Sequence, residues 1–270
     1  IKNENDLDKK MKFVIIGAGA TGVELAGVLA EITQSILSKE FKNIDTTKTK
    51  IVLIEGGNRI LSSFHHKISG IAENFLKNMG VEVIKNEVVK NIQKDQVFLE
   101  NSVIESESIF WTAGIQASPL TKSIDCKKDN LGRIIVEEDC SVPGYKNIFA
   151  IGDLTNFKPK NKLLNKFETL PGVAQVALQM GKHVSKQIQN DLNNVERKAF
   201  NYKDLGEMAT IGKSKAVVDI LNLRFGGVIA WLIWLFVHLI AITNFKNKLM
   251  IFTQWFWGYL TSQRHSRIIR

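Results

Sequence analysis

The chain is poor in the residues that staple or metallate small folds. Of its 270 residues two are cysteines, Cys126 and Cys140, with no C-x-x-C pair and no Cys/His cluster at metal spacing. Composition therefore speaks against a disulfide framework, a disulfide-reductase dithiol and a zinc site. The first residues, Ile1-Lys2-Asn3-Glu4-Asn5-Asp6, hold no apolar run, so no secretory signal is read there. They read like the middle of a longer chain, with 1–10 expected to be a linker. Acid is in deficit too, 27 Asp and Glu against 36 Lys and Arg for a net +9, a balance that favours anionic partners, nucleic acid or lipid. The length leaves room for about two domains.

What is present near the start is a glycine loop, Gly17-Ala18-Gly19-Ala20-Thr21-Gly22. It follows a β-branched run, Lys12–Ile16, and precedes Val23, Leu25, Ala26, Leu29, Ala30, Ile32 and Ile36 at helical spacing out to about Ser38. Strand before and helix after turn a weak G-x-G-x-x-G match into a strong one. Gly17 permits a tight turn, Gly19 lets the backbone approach a pyrophosphate and Gly22 lets helix and strand pack closely. The helix N-terminus then offers N–H groups and partial positive charge to the phosphates. The next strand, Ile51–Ile54, ends in Glu55, which can accept from a ribose 2′-hydroxyl and would repel a 2′-phosphate, so NAD is expected over NADP. Lys39–Lys50 accounts for the long spacing as an extended helix end and loop, and Arg59 reads as a surface charge. A helix at 68–79 with His65 and His66 before it as capping or surface residues, a strand at 81–84 and a meander of short strands (88–92, 96–99, 103–104) follow.

Downstream, Ser108–Trp111 leads into Thr112-Ala113-Gly114. Asn147–Ile151 then reads as a buried strand ending in Gly152-Asp153, where glycine admits a ligand to the backbone and the aspartate accepts from a hydroxyl. Pro171 suits the entry to a helix over 174–188, on which Gln175 and Gln179 are i, i+4 neighbours. Small Ala174 and Ala177 leave room for a ring, and the helix N-terminus could stabilise negative charge on it.

The glycine unit and the returning Gly-Asp resemble the flavoprotein disulfide reductase superfamily, in which an NAD domain is inserted into an FAD domain. The run Ala174-Gln175-Val176-Ala177-Leu178-Gln179 matches the A-Q-x-A-x-Q motif of type II NADH:quinone oxidoreductases, the non-proton-pumping NADH dehydrogenases. The T-G-V-E-L-A-G of Thr21–Gly27, the W-T-A-G of Trp111–Gly114, Tyr202–Gly206 and Ala209–Gly212 resemble that family as well. The resemblance implies hydride transfer from NADH to FAD and two electrons onward to a membrane quinone. It implies Gly17, Gly19, Gly22, Glu55 and Gly114 on the nucleotides, Gly152, Asp153, Ala174 and Gln175 on FAD, and Gln175 and Gln179 at flavin and quinone. Glu24 would stand near the nicotinamide–flavin junction, against the plainer reading of a solvated first-turn residue. The family's first G-x-G-x-x-G, which holds the ADP half of FAD, has no counterpart here, so weak FAD retention by this chain alone is expected.

Toward the C-terminus, Val228–Ile242 is apolar apart from His238 and short for a membrane span, which needs about 20 such residues. Leu249–Leu260 adds Trp255, Trp257 and Tyr259, with Arg264, Arg267 and Arg270 beyond. From Lys203 onward nine basic residues stand against three acidic. Aromatics among apolar residues edged by Lys and Arg suit a membrane interface better than single-stranded nucleic acid, because so long an uncharged run offers nothing to phosphates. Monotopic attachment through 224–270 is expected, with a short span as the alternative, on the cytoplasmic face of a bacterial inner membrane. His238 reads as a packed or interface histidine. The fold expected is α/β: a Rossmann-like NAD domain with a meander (11–116), part of an FAD domain (117–190) and a helical membrane-associated region (191–270). Rival functions are a soluble NADH:ferredoxin or rubredoxin reductase and a non-catalytic, membrane-associated NADH-binding protein; a homodimer is compatible with all three.

Overall fold

The computed structural model describes residues 4–41, 43–159, 168–220, 223–241 and 244–261. Four strands, β1 (Lys12–Ile16), β2 (Lys50–Glu55), β3 (Val81–Lys85) and β7 (Ser108–Trp111), form one parallel sheet in the order β3-β2-β1-β7. Their near-continuous apolar runs are what a sheet covered on both faces requires. Ile15, Ile51, Leu53 and Val81 enter one core with helices α2 (Ala20–Glu31) and α4 (His66–Asn78). Val14, Ile16, Val52 and Ile54 point the other way, onto Val97 and Leu99 of the meander region. Each such aliphatic side chain contributes roughly 1.5–3 kcal/mol on full burial. The meander itself is β4 (Asn91–Gln93), β5 (Gln96–Phe98) and β6 (Val103–Glu105), antiparallel in sequence order. It begins three residues later than its hydrophobic pattern suggested, because Val88 is exposed and unpaired with β5.

After Glu31 the α2 ladder loosens into a π-helical stretch, Ile32–Ile36, before resuming as α3 (Leu37–Glu40). The Thr33 hydroxyl donates toward the Leu29 and Ala30 carbonyls there, a back-bond of the kind that bends helices. His65 caps α4 as expected, its Nδ1 accepting from Lys67 N at 3.3 Å. The segment before β1, expected as a linker, holds a helix: α1 (Glu4–Lys10) is tied down where Lys9 pairs with Glu105 and its carbonyl accepts from Glu107 N.

A second sheet, antiparallel β10 (Glu207–Thr210), β11 (Ala216–Ile220) and β12 (Leu223–Gly227), belongs to the same compact unit, which comprises the residues up to Ala113 and those from Gly206 onward. Strand periodicity again splits the side chains: Ala209, Ile211 and Val217 join the core of α2 and α4, while Ala216 and Val218 face Ala230, Trp231 and Trp234 of α6 (Val228–Ala241). α7 (Phe245–Thr261) follows. Among the described residues no helix is long and apolar enough to cross a membrane. Ile242, Arg264, Arg267, Arg270 and the Tyr259 side chain lie outside them.

The other unit, Gly114–Leu205, is built on α5 (Ala174–Leu192), whose Val176, Met180 and Val184 pack with Cys140, Phe157, Phe200 and Tyr202. Its sheet is slight: β8 (Ile134–Ile135) and β9 (Thr155–Asn156), two residues each. The run 147–151, expected as a buried strand, makes one isolated bridge, Ser141 to Phe149, and Ile151 is 37% exposed; hydrophobicity alone did not supply it with a neighbouring strand. The unit boundaries after Ala113 and Leu205 fall near and well beyond the expected 116 and 190. Contact with α2 and α4 draws β10 onward into the nucleotide unit.

Candidate functional site

The glycine loop sits at the C-terminal end of the central strand, where α/β sheets bind their ligands. Gly17 has φ +99, and a Cβ there would stand 2.7 Å from the Ala113 backbone. At Gly22 a Cβ would run into the Gly17 carbonyl oxygen, which is the close helix–strand packing that residue was expected to permit. Gly19 is different: a Cβ would meet nothing within 4 Å, so its surface is open to an approaching ligand. Gly19 also begins α2 without a side-chain cap, and the first turn carries no acid, so the positive end of the helix is unopposed.

Glu55 reaches back over this loop. Its Oε2 accepts from Ala18 N and its Oε1 from Gly57 N, both at 2.8 Å. A carboxylate has about four acceptor positions, so two remain for ligand hydroxyls while the backbone bonds fix its direction. Arg59 spends a guanidinium nitrogen on the Ser62 carbonyl, 2.6 Å away. On the opposite flank Thr112 follows β7; its N donates to the Ile16 carbonyl at 2.8 Å, and its hydroxyl lies 2.9 and 2.8 Å from the carbonyl oxygens of Ile16 and Gly17.

Glu24 is occupied by a contact its position in sequence did not announce. Its Oε1 accepts from Thr210 N at 3.1 Å and lies 3.3 Å from the Thr210 hydroxyl. One helical turn on, a Cβ on Gly27 would stand 2.6 Å from Gly212 N. The segments Thr21–Gly27 and Ala209–Gly212 therefore interlock, joining the nucleotide helix to the C-terminal sheet. Asp219 of β11 adds a further tie, accepting from His65 N at 3.1 Å.

In the other unit Gly152 (φ +65) opens a short turn whose Asp153 is exposed. A Cβ on Gly152 would meet that of Ala177 at 3.0 Å, and one on Gly172 would lie 3.1 Å from Asp153 Oδ1. The turn thus rests against the first turns of α5, which no side chain caps. An exposed carboxylate beside an uncapped helix start is a donor set suited to a polyhydroxyl chain and an electron-rich ring, so these residues fit a flavin. Ala174 is exposed in the same first turn. Gln175 and Gln179 share a face and hold one strap of chain: Gln179 exchanges two hydrogen bonds with the Lys203 backbone (2.9 and 3.0 Å) and Gln175 Oε1 accepts from Leu205 N at 3.3 Å. Gly114, also at positive φ (+70), is exposed with nothing around its Cβ direction.

Asp129 gave no sequence signal. Its carboxylate accepts from Leu131 N and Arg133 N (both 2.9 Å), Arg133 Nε (2.7 Å) and Asn156 Nδ2 (2.9 Å). Burial works to raise its pKa, but these donors outweigh burial and hold it at about 2. Burial pushes the Cys140 thiol up to about 12, which leaves it an unreactive core residue. Trp234 of α6 stacks on His238 at 4.1 Å, and His238 Nδ1 lies 2.8 Å from the Trp234 carbonyl. Along the same helices Ile229, Leu232, Phe236 and Ile240 of α6 and Phe245, Leu249, Phe252, Phe256 and Trp257 of α7 are exposed, more large apolar side chains than a water-facing helix pair carries.

Comparison with known proteins gives two family matches. Residues 2–181 match the profile described as pyridine nucleotide-disulphide oxidoreductase, and residues 205–264 the NDH2 C-terminal domain. The type II NADH:quinone oxidoreductase Ndh of Mycobacterium tuberculosis is 35% identical over 268 residues, covering 95% of this chain and 56% of the relative. A probable NADH dehydrogenase of Dictyostelium discoideum is 32% identical over 251 residues, covering 92% and 54%. The chain spans about half the length of the curated relatives it matches. Among solved structures, NDH2 from Plasmodium falciparum in complex with NADH superposes with a TM-score of 0.84 at 20% identity, covering 98% of this chain and 69% of that one. A NAD-dependent persulfide reductase from A. fulgidus superposes with a TM-score of 0.58 at 19% identity, covering 77% and 35%. At those identities the likeness is one of fold.

Proposed function

The chain belongs to the pyridine nucleotide-disulphide oxidoreductase family, and on that premise we propose that it serves as a type II NADH:quinone oxidoreductase held on a lipid surface by α6 and α7. The observation that carries this reading is the interlock of Thr21–Gly27 with Ala209–Gly212, through Glu24 and Gly27. It makes the nucleotide helix and the sheet that bears the apolar helices parts of one core. A soluble ferredoxin or rubredoxin reductase has no use for such a pair of half-covered helices.

In this reading Gly17, Gly19 and Gly22 shape the loop on the NADH pyrophosphate, and Glu55 takes the ribose hydroxyls and disfavours NADPH. Gly152, Asp153, Ala174 and Gln175 would hold FAD. Bound FAD would supply the two-electron acceptor between NADH and quinone. Gln175 and Gln179 keep the 203–205 strap on α5 beside that position, and Ala174 leaves the approach unobstructed for a quinone ring. Glu24 acts in this account as a fastener between α2 and the 209–212 segment. In this reading the lipid surface is the cytoplasmic face of a bacterial inner membrane.

Two measurements on the purified chain in mild detergent test the proposal. The first is reduction of a short-chain quinone analogue by NADH with FAD added; turnover of quinone supports it, and NADH binding without turnover in a folded, flavin-loaded sample favours a binding-only protein. The second is co-sedimentation with phosphatidylglycerol vesicles. Wild type is expected to sediment with them, and Phe252→Asp/Phe256→Asp to bind about tenfold more weakly. Equal sedimentation of the two, or detergent-sensitive self-association without lipid binding, contradicts the lipid assignment.

A further inference from the structure

The peptide linking Gly17 to Ala18 is gripped at both ends. Its N–H donates to Glu55 Oε2 at 2.8 Å, at the end of β2. Its carbonyl oxygen lies 2.8 Å from the Thr112 hydroxyl, just past β7. Since β2 and β7 flank β1 in the sheet, this one peptide unit is stretched between side chains from its two neighbours. The Thr112 Oγ1 also stands 2.9 Å from where a Cβ on Gly22 would be, so the hydroxyl fills the notch between the glycine turn and the first turn of α2. Its backbone is fixed independently, Thr112 N donating to the Ile16 carbonyl. The strand pairing therefore does not depend on the hydroxyl, whose single proton faces the Gly17 carbonyl at 2.8 Å and the Ile16 carbonyl at 2.9 Å.

We infer that Thr112 is a positioning residue for the nucleotide: with Glu55 it locks the Gly17–Ala18 peptide, and so fixes the orientation in which Gly19 and the start of α2 meet a dinucleotide pyrophosphate. The inference rests on reading Gly17–Gly22 as the NADH loop. Thr112 touches no ligand in this account. It acts through a peptide plane, and a hydroxyl at this position is required where the shape of the side chain is not.

Without the hydroxyl the Gly17 carbonyl loses its donor, the peptide can rotate, and binding must restore its direction. The loss of one such hydrogen bond corresponds to about a tenfold change in dissociation constant. The experiment measures NADH and ADP-ribose affinity by fluorescence and competition on the whole chain in detergent, for wild type, Thr112→Val, Thr112→Ser and Thr112→Ala, with a thermal midpoint for each. Thr112→Val and Thr112→Ala are expected to bind both ligands about tenfold more weakly, by the same factor, because the pyrophosphate is common to them. Thr112→Ser restores binding to within about twofold. Should Thr112→Val fail to fold, Thr112→Ala gives the same reading. Unchanged affinity in the folded Val or Ala variant overturns the inference, and so does a Ser variant as weak as Val, since shape would then be the requirement. Failure of wild type itself to bind NADH removes the nucleotide reading and this inference with it, and is recognised by having no binding to compare.

Discussion

The two glycine turns at the centre of this account are supported in opposite ways. Gly17–Gly22 emerges from one of the two inner strands of a four-stranded parallel sheet, and its first peptide is held by side chains at the ends of both neighbouring strands. Gly152–Asp153 emerges from a run with a single bridge and leans on a helix, with Gly152 N directed at the Met180 sulfur, 3.3 Å away. The first is a site made by β-sheet register; the second is a site made by α5 and the loops laid along it. A register site fails when backbone packing is violated. A helix-and-loop site fails when the side chains that fasten the loops are removed, as Asp129, Gln179 and Arg197 do here. Arg197 illustrates the difference, pairing with Asp191 at 2.6 Å and Asp139 at 3.1 Å while lying over the Phe149 ring.

The largest effect should follow from Gly22→Ala. Its Cβ would collide with the Gly17 carbonyl, costing about 3 kcal/mol in denaturant unfolding and weakening NADH binding by about a hundredfold. Affinity and stability near wild type would break the claim that backbone contact defines this turn.

Next comes Asp129→Asn, which turns one acceptor toward its donors as a further donor; we expect a loss of about 2 kcal/mol with NADH affinity unchanged. The sign of the pH dependence follows from a folded pKa depressed to about 2 against about 3.9 unfolded. The stabilisation is complete above the unfolded value and is lost as pH falls from about 4 toward about 2. Thermal midpoints across that range should converge for wild type and variant as the carboxylate protonates. A gap that persists at pH 2 would assign the cost to something other than the charge.

The smallest is Gln179→Ala. Two hydrogen bonds to Lys203 disappear, and because they are exposed the expected cost is about 1 kcal/mol. It is read locally, as about fivefold faster amide hydrogen exchange at Lys203. Unaltered exchange would show that the strap holds without its glutamine.

Much of the first site was legible in the sequence, because its logic is local: a β-branched run, glycines at fixed offsets, a helical period and an acid at the next strand end all lie between Lys12 and Glu55. The meander and α5 announced themselves through periodicity in the same way. What escaped were pairings across long separations. Glu24 meets Thr210, 186 positions away, and nothing in either segment alone names the other, although both had been singled out as motifs. Gln175 and Gln179 were visible as a polar stripe, but the stripe did not disclose that its partner would be backbone from 203–205. The run 147–151 misled for the converse reason: apolar residues in an extended stretch pattern like a strand whether or not a neighbour exists to pair with it. Residues 1–10 were read as a linker because they resemble the middle of a longer chain; within them Glu4–Lys10 is helical, with Lys9 and Asp8 paired to Glu105 and Lys50.

The central claim is that the residues from α1 to the meander, with the sheet of 207–227 packed on α2 and α4, make a dinucleotide site selective for NADH without help from bound flavin. It is tested most directly by titrating the purified chain with NADH and with NADPH, no FAD present, and following nucleotide fluorescence. The account predicts saturable binding of NADH and at least about tenfold weaker binding of NADPH, because the Glu55 carboxylate, fixed by Ala18 and Gly57, repels a 2′-phosphate. Equal affinity for the two nucleotides, or no NADH binding by a folded chain, would contradict it.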